Sequence, residues 1–291
     1  MSGSELRVTI AGITTSILSS EADLTLGATG PLAAFLDPVT TPDITLDVCW
    51  DVPPELRGER LYDSGGVWQL FRDGDRLAFH LHSPRFGDRP YKSASFAPDF
   101  TSGTIHLRRH CFDPSRPLYP LEYPLDELLV TNWLALGRGV EVHACAVVDG
   151  GGAGYLFVGH SGAGKTTMAR QWCEEPGVTV LSDDRVVLRR DAGRIWMHGT
   201  PWHGDEPLAS HGSAPLARTF FLRHASRNQV DAVSGADAVA GLFACSFPPP
   251  FSAAAIDFTL SFLTDVAQAA PVFELGFVPD RHIRDFIRVA A

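Results

Sequence analysis

Gly159-His160-Ser161-Gly162-Ala163-Gly164-Lys165-Thr166 is a full GxxxxGK[ST] phosphate loop, and its flanks have the right character. Tyr155-Leu156-Phe157-Val158 before it is an apolar run that reads as a buried strand. Thr167 to Trp172 after it reads as the first turns of a helix. The spacing has a chemical reason. Glycines let the backbone curl so that successive N–H groups face phosphate oxygens, and the helix N-terminus adds partial positive charge. Lys165 can reach the terminal phosphates, and Thr166 can offer its hydroxyl to Mg²⁺. Gly159 to Thr166, with Thr167, are therefore the expected nucleotide-binding residues. The chain has only two lysines, Lys92 and Lys165, and otherwise uses arginine, so a lysine here points to a job arginine would not do. Lys165 is expected to stand exposed in its loop, where its loss would cost little stability.

Working outward, 291 residues suffice for one large domain or two modest ones. A 45% hydrophobic and 20% charged composition suits a globular chain with a real core. The net charge of −10 argues against non-specific binding to nucleic acid or anionic membrane. No 18-residue apolar run suggests a membrane span, and Met1-Ser2-Gly3-Ser4-Glu5 has neither the basic start nor the apolar core of a secretory signal. Five scattered cysteines with no CxxC pair read as reduced thiols of a cytoplasmic protein.

Residues 1–118 read as a β-rich domain. Leu6–Ile10, Ile44–Trp50, Val67–Phe71, Leu77–Leu81 and Thr104–Arg108 are strand-like, and Asp73-Gly74-Asp75 marks a hairpin. Pro117–Leu121 reads as a connector. Residues 119–291 read as the α/β kinase domain: a helix over Pro124–Leu136 stopped by Gly137, then strand, phosphate loop, helix and strand. Helices follow over Gly235–Phe247 and Ser252–Ala270, parted by Pro248-Pro249-Pro250. A strand over Val272–Val278 and an amphipathic helix over Asp280–Val289 complete the pattern.

Asp183 and Asp184 end the apolar run Val178–Leu181, 18 and 19 residues after the lysine. One carboxylate there can hold Mg²⁺ and the other can take a proton from an attacking hydroxyl. Strand alternation puts Glu141, His143 and Cys145 on one face and Val140, Val142 and Ala144 on the other. A Gly-rich hairpin over Asp149–Gly154 would bring His143 near the phosphates. His198-Gly199-Thr200-Pro201-Trp202-His203-Gly204 reads equally as a polar loop facing the site and as a turn anchored by its tryptophan.

The order of His143, the loop Gly159–Thr166 and Ser182-Asp183-Asp184-Arg185-Val186 resembles the HPr kinase/phosphorylase family over residues 140 to about 190. The Gly199–Gly204 stretch and Pro215–Leu222 look more like the HPr-kinase-related proteins of bacterial peptide-modification clusters, such as lasso-peptide kinases. The resemblance implies a P-loop core of the phosphoenolpyruvate-carboxykinase-like type that phosphorylates serine. It also implies roles: Lys165 and Thr166 on phosphate and metal, Asp183 as base, Asp184 as metal carboxylate and His143 as a phosphate-side helper. The Glu-Ile-Arg-Gly type signature of that family is missing after the aspartates, which weakens the case for its carrier protein as acceptor.

The expected function is therefore a kinase using ATP and Mg²⁺ to phosphorylate a hydroxyl on a peptide or small protein. No base-reading motif separates ATP from GTP. No nucleic-acid or membrane partner is expected, and a homo-oligomer is left open. The competing readings are a carboxykinase-like enzyme on a small acid, which needs lysine ligands the chain nearly lacks, and a nucleotide-gated binding module. The β-rich half is expected either to recognise the acceptor or to brace the core.

Overall fold

In the computed structural model, which describes residues 4–280 and 282–290, the chain has a mixed α/β fold built on two large sheets. Met1–Gly3, part of the stretch read as no secretory signal, and Arg281, inside the expected terminal helix, lie outside the described residues. Contacts divide the chain into two compact units: Met1–Thr9 with Ile13–Trp133, and Ile10–Gly12 with Leu134–Ala291. The division falls at the end of helix α1 (Leu125–Leu134) rather than in the connector before it.

The first unit's sheet comprises β1 (Ser4–Ile10), β2 (Ile13–Ser19), β3 (Ile44–Trp50), β4 (Glu59–Asp63), β5 (Trp68–Asp73), β6 (Arg76–Leu81), β7 (Lys92–Phe96) and β8 (Ser102–Leu107). They lie in the order β1-β2-β3-β8-β7-β6-β5-β4. The hairpin at Gly74-Asp75 joins β5 to β6, with Asp73 opposite Arg76. Three strands escape the sequence reading, for different reasons. In β2 buried hydroxyls interrupt the apolar pattern: Thr9 and Thr14 bond each other at 2.8 Å, and Ser16 donates to Glu5 at 2.7 Å. β7 sets three small residues between a fully buried lysine and Phe96, so its apolar pattern is too sparse to read. β4 is a charged, half-exposed edge.

The second unit's strands are β9 (Val140–Val148), β10 (Gly154–Val158), β11 (Thr179–Ser182), β12 (Arg185–Asp191), β13 (Arg194–His198), β14 (Ser213–His224), β15 (Gln229–Val233) and β16 (Val272–Phe277). Its further helices are α2 (Lys165–Cys173), α3 (Gly235–Ala244), α4 (Ala253–Ala269) and α5 (His282–Ala290). β9 pairs with β10 through its second half and with β12 through its first. β14 pairs with β13 through its first residues and in parallel with β10 through later ones. With the β12–β13 hairpin these pairings close five strands into a ring.

The alternation in β9 is as the sequence indicates. Val140, Val142, Ala144 and Ala146 pack into the core shared with α3 and α4, including Leu242, Phe262 and Leu263. Cys145 and Val147 pack on the other face, with Met168 and Trp172 of α2 and Ile283 and Ile287 of α5. β10 is buried along its whole length, which explains its unbroken apolar run. It delivers the chain directly into the phosphate loop at its C-terminal end.

Candidate active site

The loop after β10 turns back on itself through Gly162 (φ +82°) and Gly164 (φ +104°), backbone angles that a side chain disfavours. Gly164 is the N-cap of α2, so Lys165 opens the helix. The loop borders a cavity of ≈ 550 Å³, a usual size for small-molecule sites. Ser161, Gly162, Gly164, Lys165, Thr166 and Thr167 line it; Gly159, His160 and Ala163 are not on its wall. His143, Asp184 and Arg185 line it from β9, the β11–β12 turn and β12.

Lys165 departs from expectation. It is only 6% exposed, because at the first helical position its side chain runs back along the loop. Its Nζ donates to the carbonyls of Gly159 (3.0 Å) and His160 (3.2 Å). Burial pushes its pKa down, and the nearby Asp184 charge works against that shift.

The two aspartates have different surroundings. Asp183 is 0% exposed. Its Oδ1 accepts from the Gly204 N–H at 2.9 Å, and its Oδ2 faces the Thr166 hydroxyl at 3.4 Å. Burial pushes its pKa up; the Gly204 bond opposes this and the Asp184 charge adds to it. Asp184 lies on the cavity wall. Its Oδ1 is 2.8 Å from His143 Nε2, and its Oδ2 is 2.5 Å from Arg185 Nη1. Burial acts upward there too, but the His143 bond and the Arg185 and Lys165 charges hold its carboxyl below the usual range. Thr166 thus meets Asp183, the residue read as base, and His143 meets Asp184, the residue read as metal carboxylate.

The residues fit a nucleotide with Mg²⁺. The cation in such sites takes one or two carboxylates, phosphate oxygens and water rather than a protein cage. Among the described residues no cluster of three or more His, Cys, Asp or Glu forms such a cage, while Thr166 and a carboxylate stand together beside the lysine.

Of His198–Gly204, one residue, Gly204, lines the cavity. Trp202 is buried as an anchor, and Thr200 donates to the Arg185 carbonyl at 2.7 Å. Sequence reasoning gave no role to Arg170, Arg185 or His224, which also line the cavity. Arg170 stands four residues after Thr166, one helical turn on, a spacing that could have revealed it. His224 ends β14, and its Nε2 is 2.8 Å from the Gly162 carbonyl; only the β10–β14 pairing shows that proximity.

Residues 155–233, a little over a quarter of the chain, match a family model described as an AAA domain. The match runs from the strand before the phosphate loop past both aspartates. Among solved structures the chain is similar to the Hpr(Ser) kinase/phosphatase from Coxiella burnetii, at 10% identity and a TM-score of 0.26, over 50% of this chain and 85% of that one. No curated protein sequence matches it.

Proposed function

We propose that this chain is a Mg²⁺-dependent kinase that transfers the γ-phosphate of ATP to a hydroxyl, with a serine on a peptide or small protein as acceptor. The observation that carries the reading is that one cavity collects the phosphate loop, with Lys165 and Thr166, and a His143–Asp184 pair on its wall. The serine and peptide parts rest on the motif resemblance.

The geometry favours exchanging the two aspartate roles. Asp183, fully buried against Thr166, is placed to hold the threonine and the metal side of the nucleotide. Asp184, on the cavity wall and hydrogen-bonded to His143, is placed to meet the acceptor hydroxyl. Mg²⁺ bound there would neutralise phosphate charge. In the transfer the acceptor oxygen bonds the γ-phosphorus as the bond to the leaving diphosphate breaks, and the hydroxyl proton passes to the Asp184–His143 pair. Lys92, the only other lysine, is fully buried and ion-paired to Glu122, which leaves a carboxykinase-like metal site without its lysine. The first unit is proposed to recognise the acceptor.

The test is transfer of label from γ-labelled ATP with Mg²⁺ to serine-containing peptides. The reading expects labelled peptide and ADP; nucleotide binding with no label on any hydroxyl would leave the gated module as the better account. Asp184→Asn is expected to keep MgATP binding and lose transfer by about 10²-fold or more. Asp183→Asn is expected to raise the Mg²⁺ concentration needed. Interchanged phenotypes would restore the assignment made from the sequence.

A further inference from the structure

Arg185 opens β12 directly across from His143 of β9. Its guanidinium is met by three elements. Nη1 is 2.5 Å from Asp184 Oδ2. Nε is 3.4 Å from Oε1 of Glu141, whose side chain is wholly buried on β9. The ring of Phe247, in the segment after α3, lies 4.3 Å from the guanidinium carbon. That segment is laid along β9 by two backbone bonds, Phe247 N to Glu141 O at 3.1 Å and His143 N to Cys245 O at 2.7 Å. A buried carboxylate is costly without a counter-charge, and a guanidinium is a counter-charge that cannot be neutralised. The arrangement therefore fixes a permanent planar cation on the wall of the phosphate-loop cavity, beside the His143–Asp184 pair.

We propose that Arg185 is a catalytic residue whose guanidinium contacts the phosphoryl group during transfer, with Phe247 and Glu141 as positioning residues that hold it there. The inference rests on the kinase reading above. As the acceptor oxygen–phosphorus bond forms and the bond to the leaving diphosphate breaks, charge spreads over the non-bridging oxygens of the group in transit. A planar fork of N–H donors matches two of those oxygens better than an ammonium does. Lys165 serves the loop side of the cavity and Arg185 the β9–β12 side. Arg170, the other arginine on the wall, meets Glu206 with a side chain 58% exposed, whereas the Arg185 side chain is 18% exposed.

The test compares binding of MgADP with binding of MgADP plus aluminium fluoride, a mimic of the phosphoryl group in transit. The proteins are the wild type, Arg185→Ala, Arg185→Lys, Phe247→Leu and Phe247→Trp. Arg185→Ala is expected to keep MgADP affinity within about threefold and to lose on the order of 10²-fold for the fluoride complex. Arg185→Lys should recover only part of that loss. Phe247→Leu should show the same selective loss on a smaller scale, and Phe247→Trp, which keeps a ring face under the guanidinium, should restore it. If Arg185→Ala does not fold once this counter-charge to Glu141 is removed, the double variant Arg185→Ala/Glu141→Gln carries the same expectation. Equal losses for the two ligands, or no loss for either, would overturn the inference and make Arg185 a structural counter-ion. A wild type that binds MgADP without tightening on fluoride would overturn it too. A wild type that does not bind MgADP at all would instead overturn the kinase reading on which it stands.

Discussion

The two lysines of the chain are both buried, one in each unit, and they are buried in opposite ways. Lys92 on β7 is 0% exposed, and its Nζ donates to Glu122 Oε1 at 2.8 Å. Burial pushes its pKa down and Glu122 pulls it back up. Lys165 donates to two neutral carbonyls and makes no ion pair among the described residues. A lysine answered by a carboxylate is electrically satisfied and serves the fold. One held by peptide dipoles at the edge of a cavity has no carboxylate bonded to it, and the proposed function gives it an anion there. Burial does not separate structure from chemistry here; the identity of the acceptor does.

The strongest way to break the comparison is Lys165→Ala. Phosphoryl transfer is expected to fall on the order of 10³-fold, about 4 kcal/mol of transition-state stabilisation. A labelling assay that kept more than a tenth of the wild-type rate would end the distinction. The converse is Glu122→Gln. It leaves Lys92 buried without its partner and should cost about 3 kcal/mol of stability in urea denaturation, the low end for a broken buried pair. The low end applies because the Glu122 side chain is 43% exposed. Turnover of the folded fraction should not change, and a specific loss of turnover would give Lys92 a chemical role.

His198 sharpens the comparison with a smaller effect. Burial drives its pKa from the usual 6.5 to about 4; Arg189 and His211 add to the shift and Asp191 opposes it. The unfolded chain therefore takes up a proton that the folded chain refuses. Stability is full above the ordinary value and falls as pH drops toward the folded one. About 1 kcal/mol should be lost between pH 7 and pH 5.5 from this residue. His198→Gln should flatten that slope in thermal melts across the interval. An unchanged slope would mean that other groups govern it.

The phosphate loop, its strand, its helix and the paired aspartates were legible because their chemistry needs fixed residue types at fixed spacing. Alternation in β9 sorted His143 from Val142 for the same kind of reason. What stayed hidden depends on partners far apart in the chain. Asp183 and Asp184 are adjacent and chemically alike, and they are told apart by burial and by partners distant in sequence, Thr166 and Gly204 for one and His143 for the other. Arg185 sits within the Ser182–Val186 motif, yet its neighbours Glu141 and Phe247 stand 44 residues before and 62 after it. The burial of Lys165 could not be read because a loop lysine looks solvent-facing until the helix start is placed beneath it.

The five-stranded ring has a consequence for how the chain is made. β9 and β10 can zip together as soon as both leave the ribosome, since only the short turn Asp149–Ala153 parts them. β14 is needed to join β13 to β10, and it is synthesised more than fifty residues later. Until then the strand that carries the phosphate loop has an unpaired edge. Nascent chains halted before Ser213 should therefore depend on chaperones through that edge, and the dependence should end only when α3, α4 and β16 have followed β14 and covered the ring.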